Sequence, residues 1–304
     1  MIYELSMILC TGLSVLSSLI LIGYYFFQQK ARTLAFSLVL PIFLYDFLLF
    51  FDYFIPLIIY FINPDTVISK PLCMLQGQLK LFRTNGTLFS TLAICWTLYS
   101  FFIKKKPLKF KNQPIFYFSP FTFVLPLLIS VIPLTNDRYS NANPLSQVMC
   151  IIIFLKYPNG EVDYFGIIQK LILSYVPFLG TIILQIYIIV RIFIHFRKND
   201  QVIDINEIKY LILYPLFLAL SQVWILYQRF YEMVTNGNQI DWLNTFDLQM
   251  VQINGFMNAI IYGVLSLRTC FLKSNSNTVS EQDYEEQNNS GENQSFSIQD
   301  SMIE

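Results

Sequence analysis

Long apolar runs alternate with short polar islands along this chain, and seven of the runs are long enough to cross a bilayer. A helix rises about 1.5 Å per residue, so a hydrocarbon core of about 30 Å needs about 20 mostly apolar residues. The runs are Ile2–Phe27, Thr33–Ile62, Leu72–Ile103, Ile115–Leu134, Phe165–Ile194, Tyr210–Tyr231 and Phe246–Leu267. The longest are expected to tilt or to extend past the lipid. The fourth is the shortest and carries Pro120, Pro126 and Pro133, which blur its ends. The seventh is the least hydrophobic, with Asp247, Gln249, Gln252, Asn254 and Asn258, so one of its sides must face protein or water.

The pattern predicts an all-α fold: an integral membrane bundle of seven transmembrane helices over residues 1–273. A disordered cytosolic tail over 274–304 follows, rich in Ser, Asn, Gln and Glu. The first run has no basic stretch ahead of it and is long enough to span, so it reads as a retained helix and not as a signal peptide. Few residues precede it, so no folded ectodomain is expected and a small extracellular ligand is favoured over a protein hormone. There is no internal repeat, and seven crossings do not divide into the halves of a simple inverted transporter.

Composition sharpens this picture. The 304 residues are 55% hydrophobic and 13% charged. Soluble domains carry about 25% charged residues, and one exposing this much Phe, Leu and Ile would aggregate. Lys and Arg number 20, as do Asp and Glu, a balance that gives no reason to expect a nucleic-acid partner.

The placement of the basic residues sets an orientation. Lys30, Arg32, Lys104, Lys105, Lys106, Lys109, Lys111, Arg191, Arg197, Lys198, Lys209, Arg268 and Lys273 fall at one side of the predicted spans. Only Lys70, Arg138, Lys156 and Arg229 fall at the other. The positive-inside rule then puts the N-terminus outside and the tail in the cytosol, as expected of a multi-pass plasma-membrane protein. Cys73, at the start of the third span, and Cys150, in the loop after the fourth, lie on the oxidising face, where a bridge would tie loop to helix. Such a bridge contributes about 2–4 kcal/mol. Cys10 and Cys95 read as packing residues, and Cys270 as either a palmitoylation site or an unmodified interfacial cysteine.

Several polar residues sit where lipid would penalise them. Asn254, Asn258 and Tyr262 recur every four residues and line one face of the last span, while Asp46 lies near mid-membrane in the second. Pro215, two turns into the sixth span, removes a backbone hydrogen bond and should kink it. Lys80 and Arg83 lie one turn apart on one face of the third span, below Cys73, and Lys170 lies near the outer end of the fifth. Buried cations around a cavity favour an anionic ligand. Two plainer readings stand beside that one. Asp52 is at about the depth of Arg83 and could form a structural ion pair, and Lys170 could snorkel to the headgroups.

Seven spans, an external N-terminus and this cysteine pair resemble the G-protein-coupled receptors. The residues that narrow the resemblance are Cys73-Met-Leu-Gln-Gly-Gln and Ala93-Ile-Cys-Trp96-Thr in the third span and Leu213-Tyr214-Pro215-Leu216 with Trp224 in the sixth. The seventh adds Gly255-Phe256-Met257-Asn258-Ala259-Ile260-Ile261-Tyr262-Gly263. Together they resemble the slime-mould-type cyclic AMP receptor family over about Met1–Lys273. The resemblance implies a cyclic-nucleotide-like ligand and a cytosolic heterotrimeric G protein as partner. It also implies a buried activation network including Asp46, Asn258 and Tyr262, which could equally be interhelical glue. Two departures stand: the Asp-Arg-Tyr of rhodopsin-type receptors is replaced by Trp96-Thr-Leu-Tyr-Ser-Phe-Phe, and the fourth span has no tryptophan.

Other classes fit less well. The only histidine, His195, has no Cys, His or carboxylate cluster beside it in sequence, so neither an enzyme nor a metal or other cofactor is expected. A retinal protein needs a Schiff-base lysine in the last span, and Phe246–Leu267 has none. A seven-helix transporter or channel is the alternative. The basic segments Lys104–Lys106 and Arg191–Lys198 serve either topology or contact with a G protein and anionic membrane lipids. The tail serines serve either phosphorylation or solvation. Asn85-Gly-Thr87 lies inside the third span and is out of reach of glycosylation.

Overall fold

The computed structural model describes residues 2–28, 34–63, 68–104, 114–136, 139–141, 150–152, 164–198, 215–217, 220, 224, 227, 231, 242–243, 246 and 249–263. The chain divides into a unit Met1–Ile261 and a unit Tyr262–Glu304, and of the second only Tyr262 and Gly263 are described.

The first helix, α1, runs unbroken over Ile2–Phe27. Its buried side carries Met7, Thr11, Ser14, Val15 and Ser18, spaced at three and four residues, while Leu5, Leu9, Leu13, Leu16 and Ile20 point outward. Small and polar residues inside with leucines outside is the arrangement a lipid solvent selects, since inter-helix contact gains nothing from apolar burial there. The second crossing joins α2 (Leu34–Phe47), a π-helical turn (Phe50–Phe54) and α3 (Ile55–Ile62). A 33-residue helix, α4, covers Lys70–Phe102. The next crossing joins α5 (Pro114–Ser119), a π turn (Pro120–Val124) and α6 (Leu125–Thr135). A further one joins α7 (Tyr164–Lys170), a π turn (Leu171–Tyr175) and α8 (Val176–Lys198). Residues 249–263 are again helical. The expected helices thus form within a residue or two for the first four runs, the fifth continues four residues past Ile194 to Lys198, and the sixth is described only in fragments. Among the described residues, four helical stretches are long and apolar enough to cross a membrane: Leu5–Phe27, Ala35–Ile62, Tyr117–Thr135 and Tyr164–His195.

Helix α4 is long enough to span but too polar to stand against lipid alone, and it occupies the middle of the bundle. It packs against α2, α6 and α8, and more than half of its residues are buried. Its hydroxyls satisfy themselves on the preceding turn: Thr84 on Lys80 O, Ser90 on Gly86 O, Thr91 on Thr87 O and Thr97 on Ala93 O. Close approach relies on glycine at two points. A Cβ on Gly86 would enter the Tyr45 ring, and one on Gly77 would enter the Tyr139 ring.

Cross-contacts fix the direction of each element. Along α4, Gln76 meets Asp52 and Phe82 meets Tyr45, so α2–α3 runs antiparallel to it. Leu81 packs with Leu134 and Phe89 with Phe121, so α5–α6 is antiparallel as well. Asn85 meets Leu173 and Leu88 meets Gln185, so α7–α8 is parallel to α4. Gly12 lies against Phe54 while Tyr25 meets Phe36, which makes α1 antiparallel to α2–α3. Gln249 reaches Ser6 and Phe256 reaches Ser14, so the last helix runs with α1.

All three π turns share one cause. Each is closed by an i to i+5 bond: Ile55 N–H to Phe50 O, Leu125 N–H to Pro120 O and Val176 N–H to Leu171 O. The next residue in each case is a proline, Pro56, Pro126 or Pro177. Proline has no N–H, so the carbonyl four residues earlier loses its α-helical donor. Those carbonyls belong to Asp52, Thr122 and Leu173, and a neighbouring helix supplies each with a substitute. Gln76 Nε2 donates to Asp52 O at 2.8 Å, the Tyr45 hydroxyl donates to Thr122 O, and Asn85 Nδ2 donates to Leu173 O at 3.3 Å. Widened turns of this kind are a common remedy for proline within a membrane helix.

The loop between the fourth and fifth runs adds two short strands to the all-α expectation. Strands β1 (Tyr139–Asn141) and β2 (Cys150–Ile152) pair antiparallel with Asn141 opposite Cys150. Tyr139 is buried among Leu81 and Leu173, and its hydroxyl donates to Ser130 O at 2.9 Å. Burial raises its phenol pKa, so it remains a neutral donor.

Candidate functional site

Two buried polar centres lie along α4 and its neighbours. The first starts at the Cys73–Cys150 disulfide, whose Cα atoms are 5.3 Å apart, so the expected bridge is present. One turn further, Gln76 Oε1 accepts the Cys150 N–H at 3.2 Å while Nε2 donates to Asp52 O. Asp52 Oδ2 accepts from Arg83 Nε at 2.9 Å, with side chains 0% and 7% exposed respectively. At that depth each charge would be prohibitive alone, so the pair exists because both members are there. Asp52 Oδ1 has no hydrogen-bond partner.

Lys80 and Arg83 meet on the Tyr53 ring, with Lys80 Nζ 4.9 Å and Arg83 Cζ 5.6 Å from its centroid. Between the two readings of Arg83, the geometry supplies the ion pair with Asp52. Lys80 differs: it is half-buried, close enough for its charge to act on Asp52, yet no carboxylate among the described residues pairs with it. Lys170, also half-buried, lies over Tyr175 of its own crossing at 5.9 Å. Of the three predicted ligand cations, Lys80 and Arg83 thus share the Tyr53 ring, while Lys170 lies over Tyr175.

The second centre lies deeper along α2. Asp46 Oδ2 accepts from Asn258 Nδ2 at 2.8 Å. Gly255 allows this approach, because a Cβ there would sit 2.8 Å from Asp46 Cβ and 3.1 Å from Ser14 Cβ. The Ser14 hydroxyl donates to Gln252 O and accepts the Phe256 N–H at 3.1 Å. Gln252 is fully buried with neither amide atom paired, and Asn254 Oδ1 is likewise unpaired. Asn254, Asn258 and Tyr262 are all buried, as their four-residue spacing predicts.

Pro215 is buried within helical residues 215–217. Its effect on the preceding turn lies outside the described residues, as do Cys270, the tail serines and the basic segment beyond Lys104. Lys104 itself caps the end of α4 over the Trp96 ring at 4.9 Å. Cys10 and Cys95 carry free thiols, the second of them buried.

Sequence reasoning misses Gln76, Tyr45, Asn85, Ser14 and Gln252. A usable signal exists for the first three: a proline in a span implies an orphaned carbonyl four residues before it, and hence a donor on a neighbour. Ser14 and Gln252 have no such marker. No protein-family model matches the chain and no curated protein matches it. The functional reading therefore stands on the helix arrangement and the two centres.

Proposed function

We propose that this chain is a seven-transmembrane G-protein-coupled receptor of the plasma membrane. Its N-terminus and the disulfide are extracellular, and the Lys104 and Lys198 ends and the tail are cytosolic. Its ligand is a small anionic molecule, a cyclic nucleotide being the form implied by the sequence resemblance, and its partner is a heterotrimeric G protein. The observation that carries this reading is the pair of buried polar centres, one linking Cys150, Gln76, Asp52 and Arg83 and the other linking Asp46 and Asn258. Buried ionisable groups in membrane helices mark function more often than support.

Topology adds support. Helix α8 and the helix over 249–263 run the same way, so the chain must travel back between Lys198 and Gln249. Tyr210–Tyr231 is an apolar run long enough for that return, which supports a reading of seven crossings. Lys80, which pairs with no carboxylate among the described residues, is the residue we assign to the ligand's anion, with Arg83 as its structural neighbour.

The test is a panel of nucleotides and anionic metabolites applied to cells expressing the chain, read as agonist-dependent G-protein dissociation. A responding agonist should lose potency about 10- to 100-fold in Lys80→Gln at unchanged surface expression. Agonist potency untouched by that substitution removes the ligand assignment. Solute flux in reconstituted vesicles, with no nucleotide exchange on any G protein, favours a transporter instead.

A further inference from the structure

The three side chains that capture orphaned carbonyls are not equivalent. Tyr45 and Asn85 each tie one helix to another. Gln76 does more, because its amide oxygen also accepts from the backbone of the disulfide-bonded strand β2. One rigid, planar group thus spans β2 and the π turn Phe50–Phe54. That turn carries Asp52, whose backbone carbonyl meets Gln76 and whose carboxylate meets Arg83.

The shape of the turn decides where Asp52 points. A π turn holds one residue more than an α turn, and each residue contributes about 100° of rotation. A relaxed turn would swing the Asp52 carboxylate off the Arg83 face. Holding the carbonyl of Asp52 therefore holds its side chain on target.

We propose that Gln76 is a positioning residue that couples strand β2 to the Asp52–Arg83 pair by keeping the π turn Phe50–Phe54 in place. When β2 is released, Gln76 loses the N–H that orients its amide, and Asp52 O becomes an unpaired buried carbonyl. The turn then opens more often and the ion pair with it. As a route from the extracellular loop to the polar core, the device rests on the receptor reading; the coupling itself can be tested without ligand.

The experiment is amide hydrogen exchange on the full chain in phospholipid nanodiscs, before and after reduction of Cys73–Cys150. In the unaltered protein, reduction should raise exchange over residues 50–57 about tenfold, the effect of losing one buried hydrogen bond. Residues 120–126, latched by Tyr45 and, among the described residues, outside the cluster that Tyr139 forms beneath the strands, should be unchanged. In Gln76→Met, exchange over 50–57 should already be raised, and reduction should add nothing. Gln76→Glu, which keeps the acceptor and loses the donor, should behave like Gln76→Met. Equal reduction effects in Gln76→Met and the unaltered chain overturn the coupling. If Gln76→Met does not fold, the unaltered chain still decides: no change over 50–57, or an equal change over 120–126, overturns it. None of these readouts uses an agonist or a G protein, so failure of the receptor reading would leave them standing.

Discussion

Asp52 and Arg83 are each tolerable only because of the other. Asp52→Asn keeps the volume and strands the guanidinium, so it should cost about 3–5 kcal/mol. Adding Arg83→Gln should restore much of that loss, and thermal unfolding in detergent would register both effects. A double variant no more stable than Asp52→Asn would mean that Arg83 has another anchor. Glycines offer a second local comparison. Gly86→Ala drives a methyl into the Tyr45 ring, whose hydroxyl is committed to Thr122 O, so overpacking of about 1–3 kcal/mol is expected. Gly180→Ala meets nothing within 4 Å and should be neutral or slightly stabilising in the same assay. From the sequence, depth alone makes Asp52 a partner for Arg83, because 1.5 Å per residue converts position into height. It says nothing of azimuth, and so Tyr53 beneath both cations and Gln76 beside them stay hidden until the helices are assembled.

Proline in these helices creates a requirement that another helix meets. Pro177 leaves Leu173 O without its backbone donor and Asn85 replaces it, which sets up a double-mutant cycle. Asn85→Leu should destabilise by about 1–3 kcal/mol in the natural background, where the carbonyl is orphaned. In Pro177→Ala the restored N–H can serve Leu173 O, and Asn85→Leu should cost less by at least about 0.5 kcal/mol. Strict additivity would show that the amide and the proline act independently. The positions of Pro56, Pro126 and Pro177 are plain in the sequence, and disturbance of the ends of the fourth span is readable from its prolines. That each disturbance takes the form of a widened turn is not readable. It depends on a donor arriving from a helix far away in sequence, such as Tyr45 reaching Thr122. The short β1–β2 ladder is illegible for a related reason: three residues per strand give no period to detect, and the disulfide and Gln76 hold it in place.

For the molecule as a whole, the run-and-island pattern is enough to locate α1, the α2–α3 crossing, α4 and the α7–α8 crossing. Their parallel and antiparallel directions follow from side-chain contacts that no single run encodes. Orientation in the membrane is testable through those directions. Single cysteines at Ser69, which precedes α4, and at His195, near the end of the parallel α8, should label from opposite faces in intact cells. Ser69 should react with an impermeant maleimide from outside and His195 only after permeabilisation; the reverse pattern would invert the proposed topology. The polar middle helix bears on how the chain is made. Segments leave the ribosome in order, so the α2–α3 crossing and the Asp52 of its π turn are already in place when α4 emerges with Lys80 and Arg83. A carboxylate waiting in the bilayer is what lets so basic a segment leave the translocon sideways. Insertion should then be less efficient at that single step when the acidic partner is missing, and surface yield of Asp52→Asn should fall below that of the unaltered chain, before any question of ligand or signal arises.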